Sequence, residues 1–156
     1  MLTIHAADEV RYVWDDQEPV KDGQKPVKDG GVLVTGGRVA AVGLLADLME
    51  QHPDARVRRW PGVLGPARIH EGPLPDAPSP RERLHAVLKS GAVAVLAQHV
   101  DSPELRAAAE RNDVLVLPAA RPTILDETAR ADLAVFDRTG TCIATVCAGR
   151  LVHRRR

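Results

Sequence analysis

Five side chains in the middle of this 156-residue sequence are of types that can hold a metal or move a proton: His70, Glu71, His85, His99 and Asp101. Neutral imidazoles and carboxylates are common ligands of Zn²⁺, and a bound zinc ion lowers the pKa of its water to about 7. Spacing decides whether these five can cooperate. His99 and Asp101 flank Val100, and alternate positions of an extended chain face one way, so the pair could serve one site at the end of a strand. The plainer reading is the expected one: Asp101 caps the helix that follows, and His99 is a partly buried strand-end residue. His70 and Glu71 adjoin in a proline-rich stretch and, without further ligands, would hold a metal weakly. His85 follows Glu82 by three positions on a predicted helix and shares what reads as its solvated face. The metal candidates are therefore His70, Glu71, His99 and Asp101, and no catalytic residue is assigned. No serine lies in a Gly-x-Ser-x-Gly elbow. The pairs Gly30-Gly31 and Gly36-Gly37 read as turns, not phosphate cradles, because no helix start follows them closely.

The elements that would position these residues fall into three parts. In the first third, "EVRYVW" alternates like a strand, and "GVLVTGGRVAAVG" reads as two strands joined by a hairpin at Gly36-Gly37. Pro19-Val20-Lys21-Asp22-Gly23 recurs as Pro26-Val27-Lys28-Asp29-Gly30, which reads as a lengthened exposed loop. "LLADLMEQHPDA" has helical spacing and stops before Pro53, and "ARVRRW" is a short strand entering Pro61-Gly62.

The middle part opens with four prolines in "HEGPLPDAPSPRE". Ser79-Pro80-Arg81-Glu82 starts a helix, with serine at the N-cap, proline in the first turn and glutamate three on. This helix ends at Ser90-Gly91. "AVAVLAQHV" (Ala92 to Val100) reads as a strand covered on both faces, a helix runs from Asp101-Ser102-Pro103 to about Arg111, and "DVLVLPA" is a second buried strand. Strand, helix and strand make a parallel βαβ unit. The last part, "ADLAVFDRTGTCIATVCAGRLVHRRR", returns to antiparallel strands with turns at Thr139-Gly140 and Ala148-Gly149. Cys142 and Cys147, five apart on one strand, should lie on opposite faces as unpaired, buried thiols.

Twenty-one basic and 21 acidic residues cancel, which argues against a general nucleic-acid binder. The basic end His153-Arg154-Arg155-Arg156 reads as a solvated tail. No apolar run is long enough for a membrane span, and no signal peptide is evident, so cytoplasmic localisation and no membrane partner are expected.

Taken together, "GGVLVTGGRVAAVG", "ARVRRWPGVLGPARIH" and "ARADLAVFDRTGTCIATVCAGRLVH" resemble the small β-sandwich of metal-dependent amidohydrolases, most closely the composite domain of imidazolonepropionase-like members. That resemblance implies that strands from both chain ends meet in one sandwich with a catalytic barrel inserted between them. It also implies a His-x-His pair after the Pro-Gly. Here the corresponding positions hold Gly72 and Leu74, and His70 falls out of register. Residues 72–127 are far too few for a barrel of about 200 residues or more.

The expected fold is α+β: an antiparallel β-sandwich built from both chain ends (1–71 and 128–156) around a small βαβ-containing insertion (72–127). The expected role is non-catalytic, a binding or assembly module that forms a homo-oligomer or docks on a partner protein, with no cofactor. The alternative is a metal-dependent hydrolase or deaminase of a C–N bond in a small cyclic amide or amidine, with zinc held by ligands shared with a second chain.

Overall fold

A mixed α+β architecture carries two sheets, one large and mostly antiparallel, one small and parallel, with no closed barrel. The computed structural model describes residues 1–14 and 24–155. Strand β1 (Leu2–Val10) lies inside the large sheet, between β2 (Val27–Thr35) and β4 (Arg56–Pro66). It runs antiparallel to β2 and parallel to β4, which it reaches through β3 (Arg38–Leu44) and helix α1 (Leu45–Gln51). From the other chain end come β8 (Leu133–Phe136), β9 (Cys142–Cys147) and β10 (Arg150–Arg154), giving the order β10-β9-β8-β4-β1-β2-β3.

This one sheet folds over a single interior. Val10, Val32 and Leu64 from the first part pack with Leu133, Val135 and Val146 from the last. The strip 129–131 ties the two rims together. Val39 N–H donates to Ala129 O, Ala131 N–H to Gly37 O and Gly149 N–H to Ala131 O. The hairpin glycines meet so closely that a Cβ on Gly149 would stand 2.5 Å from the Gly37 Cα. The two layers of the expected sandwich are thus the two halves of one continuous sheet.

The small sheet consists of β5 (Arg68–His70), β6 (Ala92–Leu96) and β7 (Leu115–Leu117), all parallel. Helices α2 (Pro80–Lys89) and α3 (Pro103–Arg111) cover one face, where Leu84, Val87 and Leu105 pack with Val93 and Val95. As expected, the Ser79 hydroxyl caps α2 by accepting from Glu82 N–H. On α3, however, the cap is Ser102, which accepts from Leu105 N–H; Asp101 is not the capping residue.

Several local expectations are corrected. The first strand ends at Val10, not Trp14. Arg11 N–H still donates to Leu64 O, but Trp14 turns inward, its indole N–H donating to Pro66 O at 2.7 Å and its ring filling the space that Gly65 leaves. The second copy of the short repeat is not an exposed loop, for Val27–Gly30 form the start of β2 against Glu9 and Val10; the first copy lies outside the described residues. Strand β4 does not stop at Trp60 but continues to Pro66. A bulge lets it pass Pro61: Gly62 adopts φ +103 and its N–H donates to the Asp8 carboxylate. A side chain there would strike Phe136 O at 2.3 Å. The strand from Ala92 ends at Leu96, because residues 97–99 tighten into a 3₁₀ turn closed by Val100 N–H on Ala97 O.

Both cysteines are buried and free, yet they do not lie on opposite faces. The register of β8 and β9 slips from Val135↔Ala144 to Phe136↔Cys142, leaving Ile143 as an extra residue. That bulge reverses the alternation. Cys142 Sγ therefore meets the Thr145 hydroxyl, which donates to Leu88 O of α2, while Cys147 packs in the same helix-side core. The basic end is not a free tail either. His153 and Arg154 belong to β10, and Arg154 lies over the Trp60 ring at 5.6 Å; Arg156 is outside the described residues.

One titration follows from the interior. His5 is 3% exposed, and its Nδ1 accepts from the Trp60 indole N–H at 3.3 Å. Burial, and then the Arg58 charge, hold its pKa at about 4, against 6.5 for a free histidine. Between those values the unfolded chain binds the extra proton and the folded chain does not, so stability falls as pH drops from about 6.5 to about 4. The loss should approach about 3 kcal/mol. Urea unfolding at stepped pH should show it, and His5→Asn, which keeps an acceptor but does not titrate, should flatten this part of the profile.

Candidate functional site

The arrangement with the most functional potential lies where the small sheet abuts the large one. Parallel strands end together, and their C-terminal edge is the usual place for ligands in α/β units. Here that edge is marked by His70, Leu96 and Leu117. Opposite the helices, Ile69, Ala94, Leu96, Leu115 and Leu117 form an apolar face. A cleft of about 280 Å³ opens over it, bounded by Arg121, Asp126, Arg130 and Asp132. A second hollow of about 330 Å³ continues along Arg68, Glu71 and Arg121.

The apolar floor follows from the alternation of β6: Val93 and Val95 pack with the helices, while Ala94 and Leu96 join the opposite apolar face, of which Ala94 lines the cleft. The polar rim has a different origin. Arg130 and Asp132 stand two apart just before β8, and the Arg130 Nε–H donates to both carboxylate oxygens of Asp132 at 2.8 and 2.9 Å. Asp132 also accepts from Ala148 N–H at 2.9 Å. Burial alone would lower the Arg130 pKa, but the hydrogen bond and charge of Asp132 outweigh it, and the guanidinium sits above its ordinary value. Beside it, burial pushes the Cys147 thiol up to about 11, so this cysteine is a neutral packing residue rather than a nucleophile. Arg68 at the base of the cleft lies over Trp14 at 5.0 Å and Phe136 at 5.8 Å, a half-buried cation–π stack.

The residues singled out from the sequence are dispersed. His70 ends β5, and its Nε2–H donates to Pro73 O at 2.8 Å. That nitrogen is therefore occupied by a proton. Glu71 is exposed and points along the second hollow. His99 sits in the 3₁₀ turn, not at a strand end, and its Nε2 faces the Gln98 amide at 3.2 Å. Asp101 is exposed. His85 is exposed on α2, and its pKa is lowered by partial burial and by the charges of Lys89, His153 and Arg81. Among the described residues, no three His, Cys, Asp or Glu side chains gather as a metal-holding group. The dispersed donors described do not fit a zinc ion.

Arg68, Arg121, Arg130 and Asp132 line the cleft and were not among the candidates. The Arg-x-Asp spacing at the start of "RADLAVFD" was a signal available for two of them. Arg121 lies in an irregular segment with no period to betray it.

This geometry can be set beside known proteins. Residues 30–55 match the family model of the imidazolonepropionase-like composite domain of bacteria. No curated protein matches the chain. Among solved structures, guanine deaminase of E. coli is similar at a TM-score of 0.52 and 18% identity, over 73% of this chain and 34% of that one. Guanine deaminase from Bradyrhizobium japonicum is similar at a TM-score of 0.50 and 16% identity, over 69% and 31%. The likeness read from the sequence therefore holds in the matched β2–α1 segment, and the fold is shared with these deaminase structures. The chain spans about a third of their length.

The double role of Asp132 predicts the effect of its loss. Asp132→Ala leaves a partly buried guanidinium and the Ala148 N–H without their acceptor, and should cost about 1–3 kcal/mol in chemical denaturation. Asp132→Asn, which keeps an acceptor for Ala148, should cost less.

Proposed function

We propose that this chain is a binding and assembly module on an amidohydrolase-type scaffold, not a catalyst on its own, and that a second copy completes it. The observation that carries the reading is the small sheet. A parallel sheet is normally covered on both faces and continued at its edges. Here it stops at β7, whose outer edge has no backbone partner among the described residues. Val116 on that strand and Ile124 beside the cleft remain 39% and 38% exposed. Apolar side chains next to an open strand edge suit pairing with another chain, and a two-fold axis would bring β7 against its own copy.

The cleft gives the module a place to bind. Its apolar floor suits a small ring, and the Arg121 and Arg130 guanidiniums with the Asp126 and Asp132 carboxylates suit a polar rim. The alternative role, hydrolysis or deamination of a C–N bond, would need ligands from a second chain. The proton on His70 Nε2, the missing side chain at Gly72 and the dispersal of His85, His99 and Asp101 weigh against it.

Light scattering on the purified protein, together with metal analysis, separates the two. The expected result is a dimer that Val116→Glu converts to monomer, with bound zinc far below one equivalent. A monomeric wild-type protein sinks the assembly reading. Stoichiometric zinc with turnover of a cyclic amide or amidine would replace it by the enzyme.

A further inference from the structure

Apart from the cleft's lining residues, arginines converge where β4 and β10 approach each other. Strand β4 begins Arg56-Val57-Arg58-Arg59-Trp60, and its register sets Thr3 beside Arg56, His5 beside Arg58 and Ala7 beside Trp60. Val57 turns outward to the α1 core, so Arg56 and Arg58 share the other side with Trp60. From the opposite end of the sheet, β10 lays the Arg154 guanidinium over the Trp60 ring. An adjoining hollow of about 500 Å³ has Trp60, Pro61 and Ile143 as its floor and Arg59, Arg154 and Arg155 at its rim.

No carboxylate among the described residues forms an ion pair with Arg56, Arg58 or Arg154. Among the described residues, the Asp137 carboxylate lines the same hollow; it stands 3.9 Å from Arg155 and already accepts from Thr139 and Thr141. Arg58 is held below its ordinary pKa by desolvation and by the charges of Arg56 and Arg154. His5, behind Arg58, stays neutral above a pH of about 4 and adds no charge. Gathering guanidiniums this way is unfavourable by mutual repulsion, and a bound anion would relieve it.

We propose that this meeting of β4 and β10 is a binding site for a multivalent oxyanion, the phosphate group or groups of a small molecule, held between Arg58 and Arg154 with Arg56 alongside. A guanidinium presents paired N–H donors that match two oxygens of a phosphate, whereas a lysine offers a point charge. The position also explains why Arg154 is laid on an aromatic ring: the stack holds its fork in place above the hollow and lowers the entropy lost on binding.

Tripolyphosphate is a suitable probe, titrated into the full chain by calorimetry at low ionic strength. Saturable binding of one equivalent is expected, weakened at least tenfold in Arg58→Gln and in Arg154→Gln and unchanged in Arg106→Gln, an exposed arginine on α3. Arg154 is exposed at the end of its strand, so that variant remains decisive if Arg58→Gln disturbs folding. Absence of saturable heat from the wild-type protein, or equal loss in all three variants, overturns the proposal.

Discussion

The contact of Gly37 with Gly149 is the point at which the large sheet closes, and the rest of the structure depends on it. Two hairpin turns from opposite ends of the chain can lie this close because Gly149 carries no side chain, for a Cβ there would stand 2.5 Å from the Gly37 Cα; one on Gly37 would crowd Ala148 O at 3.1 Å. Between them Ala131 donates to one turn and accepts from the other. That closure brings Val32 and Val146, from strands far apart in the sheet, into one apolar interior. Burial of this kind supplies most of the favourable free energy of a fold poor in aromatics. The rim pair Arg130–Asp132 belongs to the same joint, since Asp132 also fixes the Ala148 N–H of the second turn.

The small sheet depends on the joint indirectly. Its first strand continues from β4 within two residues, and Ala67 N–H donates to Asp132 O just ahead of β8. The cleft is therefore built from groups that also hold the sandwich together. The apolar floor, the Arg68 stack and the Asp132 network share residues with three cores, so a ligand there would meet this packed wall on one side and the irregular segment 121–126 on the other.

How much of this was legible in the sequence varies with the physics of each element. The hairpin at Gly36-Gly37, the capped start of α2 at Ser79 and the βαβ unit were all readable, because each rests on local chemistry: positive φ, an N-cap hydroxyl, an apolar run of a given length. The likeness to a composite domain was readable where the family model matches, over residues 30–55. What escaped was decided by contacts distant in the chain. Trp14 leaves the strand because a space opens at Gly65. The alternation of β9 is inverted by a bulge at Ile143 that matches no sequence signal, so Cys142 was assigned to the wrong face. The cap of α3 falls on Ser102 instead of Asp101 because a serine directly before the proline competes well with the aspartate one position ahead of it. Arg68 and Arg130 look like surface charges until the indole and the carboxylate they meet are known.

Strand β4 has a bearing on how the molecule is made. Its first half pairs only with β1, and its second half must wait for β8, which begins at Leu133. During synthesis on a ribosome, β1 to β4 can assemble early, since β1 and β2 pair locally and α1 provides the crossover. The emerging domain then holds an unpaired strand edge while residues 67–132 are still being added. Arg56, Arg58 and Arg59 stand on that strand, and like charges there repel the matching strand of a neighbouring nascent chain. The same arginines that gather an anion in the finished fold would keep the unfinished one apart from its copies.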